Sequence, residues 1–171
     1  MMRMKFVGIF TALFAVTFLL SDLRESCGAD TSETLFLKNV RQLTYEGKRA
    51  GEGYFSKDGK AMIFQSEREP ENPFFQIYLL DFETGDTNRV SPGTGKTTCS
   101  FCRPGTNEAL FASTHLDPKA LAKQQAEFEF RATGKERRFT WDYDEHYDIF
   151  SAQRDGSKLK QLTNSTGYDA E

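Results

Sequence analysis

A pattern that returns along the chain constrains its fold more strongly than any other feature of the sequence. A polar or basic residue, an aliphatic residue and a hydroxyl residue follow one another at positions 42–44, 89–91 and 161–163. Between these triplets, segments 53–66 and 99–113 share a second pattern, in which two short strands flank a tight turn. Recurrence of linked patterns at long spacing indicates a fold built from repeated units.

Each unit contains one hairpin and two further strands. Phe55 and Phe101 occupy matching positions in the two hairpins, and the turns are Asp-Gly at 58–59 and Pro-Gly at 104–105. Such residue pairs favour tight turns because glycine tolerates a positive φ. Both units continue into a third strand with a glycine turn, which spans 76–85 in the first unit and 148–156 in the second. With the triplet as the last strand, the sequence predicts two antiparallel meanders of four strands.

The meanders are predicted to stack on one another. Segments 61–64 and 77–80 are almost entirely apolar, which is typical of strands that are covered on both faces. A four-stranded sheet then needs a neighbouring sheet on each side, and radial stacking of such sheets is a β-propeller. We therefore predict an all-β fold with β-propeller blades of four antiparallel strands: about two blades, a closing strand and one helical insertion.

The repeat also sets the expected domain boundaries. The first blade spans 45–91 and the second 92–163, and the second unit is about 25 residues longer than the first. An insertion at 117–140 accounts for the difference, with a helix predicted from 118, Asp117 as its cap and Pro118 in its first turn. Such an insertion is either a recognition element or a loop packed over the blade edge.

The two ends of the repeat region suggest a larger ring. Segment 35–44 resembles a fourth strand without three preceding strands, so 30–44 is assigned as a linker and ring-closing strand. Segment 164–171 matches the start of a third blade. Propellers have four to eight blades, so we expect this chain to be the amino-terminal part of a longer propeller.

The first 29 residues are predicted to be a signal peptide. A basic start at 1–5 precedes fifteen uncharged residues at 6–20, and small residues at 26–29 offer a cleavage site. A membrane anchor is the alternative, but the apolar run is shorter than the roughly 18 residues that a spanning helix needs. The mature chain is therefore expected in the periplasm or outside the cell.

The repeat resembles that of TolB-like propellers, the WD40-like repeat of secreted bacterial proteins. The resemblance extends from residue 40 to residue 171 and rests on Gln-Leu-Thr at 42–44, Phe-Ser-Lys-Asp-Gly-Lys at 55–60 and Gln-Ile-Tyr-Leu-Leu-Asp at 76–81. It implies a non-catalytic scaffold that binds a protein, peptide or glycan and is associated with the cell envelope. Related propellers also precede serine peptidase domains and filter their substrates. The alternative is therefore a substrate-gating propeller of an extracytoplasmic hydrolase whose catalytic domain lies beyond residue 171.

Several other functions find little support in the sequence. The formal net charge of −3 provides no basic surface for nucleic acid. Segment 93–98 resembles the end of a nucleotide-binding loop, but Val90 stands where that motif needs glycine, and the segment leads into a strand instead of a helix. No Gly-x-Ser-x-Gly motif is present and no catalytic residues are assigned. We expect no nucleic acid, nucleotide or cofactor.

Cys99 and Cys102 have the spacing of a redox or zinc motif, but the chain has no second such pair. On a regular strand their Cα atoms lie roughly 10 Å apart, at about 3.3 Å per residue. A disulfide requires a separation below about 7 Å. Both are therefore expected to be free thiols, with no metal bound.

Polar residues on either side of the insertion form the candidate binding site. If the insertion loops out and back, it brings carboxylates and imidazoles to one rim of the blade, where they could take a polar ligand or a divalent cation. The alternative is a polar, aromatic-rich approach to the next strand. We select a ligand-binding set without a metal: His115, Asp117, Trp141, Asp142, Asp144 and His146.

Overall fold

The computed structural model describes residues 35–138 and 143–170. The chain divides into two compact units, residues 1–41 and 42–171, and the fold described below is that of the second. The predicted signal peptide at 1–29 lies outside the described residues. Within the described ranges, no helix is long and apolar enough to cross a bilayer.

Eight strands and one helix make up the fold. The first blade holds β1 (Arg49–Phe55), β2 (Ala61–Glu67), β3 (Gln76–Asp81) and β4 (Thr87–Arg89). The second blade holds β5 (Thr97–Cys102), β6 (Glu108–Ser113), β7 (Asp148–Gln153) and β8 (Lys160–Gln161), with α1 (Ala120–Ala132) between β6 and β7.

Both sheets are antiparallel meanders, with strand orders β1-β2-β3-β4 and β5-β6-β7-β8. The expected match of Phe55 with Phe101 is wrong by one residue: Phe101 pairs with Leu110 as Tyr54 pairs with Ile63, and Phe55, which pairs with Met62, corresponds to Cys102. Gly59 and Gly105 close the hairpins with φ angles of 69° and 73°, as the turn sequences predict. The predicted all-β class of four-stranded blades with one helical insertion is confirmed.

The first strand of each blade is irregular. The register shifts between Gly51 and Gly53 in β1 and between Thr98 and Phe101 in β5. Cys99 in this second bulge has a φ of 49°, so the regular strand geometry expected for the two cysteines is interrupted. Cys99 and Cys102 are thiols in the structure, and burial raises the pKa of Cys102.

The main hydrophobic core lies between the two sheets. Phe111 and Phe150 stack with ring centroids 6.2 Å apart, and Ile63 and Ile77 of the first blade belong to the same buried cluster. The other members come from both blades: Ala61, Leu79, Val90, Cys102, Ala109 and Ala152. Burial at roughly 25 cal/mol per Å² of apolar surface makes this shared layer the main force that joins the blades.

The ends of the repeat region differ from expectation. The described residues 35–44 contain no β-strand, and the assignment of a ring-closing strand within 30–44 stays a prediction. A closing strand needs a last blade as its partner, and no such blade lies among the described residues. Segment 164–170 is also without a strand; Ala170 instead packs on Ala112 and Tyr147. The assignment of a third blade stays a prediction.

Candidate ligand-binding groove

The insertion is placed by direct contacts with the first blade and with the segment that leads from β4 to β5. The Gln124 side chain accepts a hydrogen bond from the Gly95 amide at 2.9 Å and donates one to the Glu71 carbonyl at 2.8 Å. Arg131 donates to the Pro73 carbonyl and to Glu67 Oε1, both at 2.8 Å. Helix α1 therefore belongs to the second blade in sequence but is bonded to the loop between β2 and β3 of the first.

The start of α1 differs from the sequence prediction. The N-cap is Lys119, two residues after the predicted cap Asp117. Asp117 precedes the helix in a turn of its own, in which its carbonyl accepts the Ala120 amide and its carboxylate accepts the Lys119 amide. The other carboxylate oxygen of Asp117 pairs with Lys123, one turn into the helix. The Asp117 side chain is therefore less suited to cap the first helical amides.

Lys123 joins two carboxylates from opposite ends of the insertion. Its Nζ lies 2.6 Å from Asp117 Oδ2 and 2.8 Å from Asp144 Oδ2. His146 lies beside them, with Nδ1 3.3 Å from Asp144 Oδ1 and Nε2 3.7 Å from Asp117 Oδ1. Lys96 adds a second ammonium 3.5 Å from Asp144. The insertion thus returns to its own starting point.

The protonation states follow from this arrangement. Burial raises the pKa of Asp117 and of Asp144, but the hydrogen bond from Lys123, a backbone amide hydrogen bond and the nearby positive charge together outweigh burial, so both pKa values lie below the ordinary value. Burial lowers the pKa of Lys123. Its hydrogen bonds to the two carboxylates, together with their negative charge, raise the pKa by more than burial lowers it, so the pKa of Lys123 lies above the ordinary value. All three groups are charged at neutral pH.

The same cluster has ligand types suited to a metal ion. One ligand atom each from Asp117, Asp144 and His146 lie within 4.8 Å of one another. The Lys123 ammonium, however, already contacts both carboxylates at ion-pair distance. A divalent cation would have to displace this lysine, and the cluster is therefore better suited to fix the insertion than to hold a metal.

The structure brings three of the six predicted site residues together. Asp117, Asp144 and His146 share the cluster around Lys123. His115 contacts other residues: its ring centroid lies 4.4 Å from that of Phe150, and its Nδ1 lies 2.9 Å from Ser113 Oγ. Burial lowers the pKa of His115. The remaining two, Trp141 and Asp142, lie outside the described residues.

An open groove of about 1180 Å³ runs over the edge of the two blades, beside α1. It lies where β1 begins, β2 ends and the connection from β6 to β7 leaves the sheet. Its described lining includes Phe74, Phe130 and Tyr143, together with seven cationic and four acidic side chains. The cationic residues are Lys48, Arg49, Lys96, Lys123, Arg131, Arg137 and Arg138, and the acidic ones are Glu67, Glu127, Asp144 and Glu145.

The central carboxylates of the groove are surrounded by cations. Glu67 is almost fully buried and pairs with Arg49 and Arg131 at 2.8 Å and with Lys48 at 3.5 Å. Glu127 pairs with Arg131 and Arg137 at 2.9 and 2.8 Å. Burial raises the pKa of Glu127, and hydrogen bonds from the two arginines lower it to below the ordinary value. The groove therefore carries more positive than negative charge, although the whole chain is negative.

Sequence reasoning missed the groove because its residues come from both blades. One local signal was available: Lys123, Glu127 and Arg131 are spaced by four residues, which places them along one face of a helix. Glu67 carries no comparable signal, because it follows an apolar strand and its burial depends on an arginine 64 residues away.

No protein-family model matches this chain, and no curated protein matches it. Among solved structures, the chain is similar to one described as "putative TolB from Agrobacterium tumefaciens", with a TM-score of 0.49 and 16% sequence identity. The match covers 73% of this chain and 37% of that chain. The chain therefore spans well under two thirds of the length of the structure that it matches.

Proposed function

We propose that this chain is part of an extracytoplasmic TolB-like propeller that works as a non-catalytic binding scaffold in the cell envelope. The groove beside α1 is its ligand surface. Support comes from the repeat pattern, which resembles that of TolB-like propellers, from the four-stranded blades, and from the amino-terminal sequence typical of a signal peptide.

The attachment of the insertion to the first blade carries the proposal. Side-chain hydrogen bonds from Gln124 and Arg131 hold α1 to the loop between β2 and β3 and to Gly95, and Arg131 also lines the open groove. Binding surfaces that exist before the ligand arrives lose less conformational entropy on binding. The insertion thus supports a preformed surface.

The test is site-specific crosslinking in the periplasm. The 171-residue chain is produced in a bacterium with two membranes, with the photo-reactive amino acid p-benzoylphenylalanine at Arg138 on the groove. The matched position is Lys57, which is exposed in the turn between β1 and β2, at the opposite end of the strands. We expect a processed periplasmic chain and an adduct of defined mass from position 138 alone.

Two results would overturn the proposal. An unprocessed chain that stays in the cytoplasm contradicts the extracytoplasmic assignment. Adducts of equal yield from both positions, or from neither position, contradict the assignment of the groove as the ligand surface.

A further inference from the structure

The groove has an excess of positive charge at its rim. Its central carboxylates are already paired, the buried Glu67 with three cations and the partly exposed Glu127 with two. The side chains of Lys48 and Arg137 nevertheless stay 67% and 58% exposed, so solvent or a ligand can reach them. A cation that is exposed beside an already neutralised carboxylate can accept a second anionic partner.

The rim cations are oriented as well as exposed. The Arg137 guanidinium lies over the Phe130 ring at 4.1 Å while it pairs with Glu127. Arg49 lies over Phe75 at 4.3 Å. Stacking on an aromatic ring and pairing with a fixed carboxylate restrict the rotamers of an arginine, and a guanidinium held in this way presents its other N–H groups in a fixed direction. Such a group suits a planar carboxylate, which it can bind through two parallel hydrogen bonds.

The positive charge is concentrated in the groove and is not spread over the whole surface, which favours an anionic ligand at this place. The chain as a whole is negative, with 25 acidic and 22 basic residues, whereas the described groove lining has seven cations and four acids. A local positive cleft in a negative molecule concentrates anions at one place and repels them elsewhere. A nucleic acid, which tracks an extended basic surface with its phosphates, is disfavoured by the surrounding charge.

The dimensions and lining favour a peptide over a small anion or a glycan. A volume of about 1180 Å³ exceeds the roughly 300–1,000 Å³ of pockets that enclose small molecules, and this groove is open. Glycan sites commonly offer exposed aromatic rings to the sugar, but Tyr143 is the strongly exposed aromatic residue of the described lining, and it already stacks on Tyr168 at 5.3 Å.

We infer that the groove binds an acidic peptide segment, whose carboxylates pair with Lys48, Arg137 and Arg138 at the rim. The inference rests on the proposed function, because it names the ligand class of the same groove. It adds that recognition depends on side-chain carboxylates and not only on the peptide backbone.

The test is fluorescence anisotropy of the purified 171-residue chain with labelled hexaglutamate, with hexaglutamine as the neutral probe of equal length. We expect hexaglutamate to bind with a salt-dependent affinity at least tenfold above that of hexaglutamine. Inorganic phosphate at equal charge concentration and a thymidylate hexamer serve as competitors, and both should displace hexaglutamate weakly.

The variant and its control remove the same charge from opposite edges of the blades. Arg137→Gln with Arg138→Gln removes two rim cations and leaves Glu127 paired with Arg131. Lys60→Gln with Arg103→Gln removes two cations that are 61% and 60% exposed and lie next to the hairpin turns at the opposite edge. We expect about tenfold weaker hexaglutamate binding for the first variant and a change within twofold for the second.

The outcomes separate the two proposals. Equal binding of hexaglutamate and hexaglutamine, full displacement by phosphate or by the thymidylate hexamer, or equal loss in both double variants overturns the acidic-peptide inference. If position 138 still gives its periplasmic adduct, the proposed function stands and only the ligand class is wrong. If neither the adduct nor hexaglutamate binding is found, both proposals fail.

Discussion

The two blades share a strand plan but differ in one connection. In the first blade, residues 68–75 join β2 to β3, whereas in the second blade residues 114–147 join β6 to β7 and include α1. Both connections lie at the same edge of their sheets. The difference shows that the repeat determines the sheets, while the groove depends on one long connection and its bonds to the shorter one.

The largest expected effect is on stability, when a glycine at each edge of the second blade is replaced by alanine. At Gly95 the φ is 71°, and an added Cβ would lie 2.9 Å from the Thr114 carbonyl carbon and Oγ1. Gly105, at the hairpin turn, has a φ of 73° with open space around it. Since left-handed backbone and overpacking both cost free energy, Gly95→Ala should lower the free energy of unfolding by about 3 kcal/mol and Gly105→Ala by about 1 kcal/mol. Urea titration measures both, and equal losses contradict the crowding at the groove edge.

The next effect tests whether Lys123 holds the two ends of the insertion together. Lys123→Met leaves the buried carboxylates of Asp117 and Asp144 without their main partner. Because the Lys123 side chain is 34% exposed, we expect a loss of about 2 kcal/mol, below the 3–5 kcal/mol of a fully buried pair. Lys119→Met makes the same change at an exposed position of the same insertion. Urea titration should show little loss for that control, and similar losses in both variants are the contrary result.

A smaller effect separates two adjacent glutamines on α1. Gln124→Ala removes the acceptor of the Gly95 amide and the donor to the Glu71 carbonyl, so two polar groups lose their partners. We expect a loss of about 1.5 kcal/mol and faster hydrogen exchange of the Gly95 amide. Gln125→Ala removes only an exposed bond to Glu129 and should change neither quantity. Unchanged exchange at Gly95 in the Gln124 variant contradicts the Gln124 side chain as the group that protects this amide.

The smallest expected effect is the dependence of the free energy of unfolding on pH. The pKa values of Asp117 and Asp144 are lowered in the folded chain. Their contribution to stability is therefore complete above the unfolded pKa of about 3.9 and is lost as the pH falls through the lower folded values. We expect the free energy of unfolding to be about 0.5 kcal/mol smaller at pH 4 than at pH 7 and to fall further below. Lys123→Met should flatten this dependence, and a slope equal to that of the parent chain argues against the lysine as its cause.

The strand plan could be predicted because its signals are local. Turn glycines such as Gly59 and Gly105 and the apolar strands 61–64 and 77–80 lie within single units of the repeat. The ring-closing strand expected within 30–44 stays a prediction, since such a strand depends on a partner blade that the sequence of the segment does not specify. The hydrolase-gating alternative stays a prediction, because the described residues do not test it.

Part of the site could also be predicted, because some of its residues lie at the two ends of one insertion. Asp117, Asp144 and His146 flank one insertion, and a loop that returns to its origin must bring its ends together. Lys123, which neutralises these carboxylates, lies inside the helical segment and was not selected. The bonds from Arg131 to Glu67 and Pro73 cross between repeats, and no pattern within one repeat encodes such a contact.

The charge balance of Glu67 bears on the order in which the chain assembles. Two of its partners, Lys48 and Arg49, are fewer than twenty residues away, while the third, Arg131, follows 64 residues later. The first blade can therefore pair its four strands around a carboxylate that is already neutralised, before α1 has been made. Docking of the helix is then a late step of folding, and synthesis from the amino terminus favours this order.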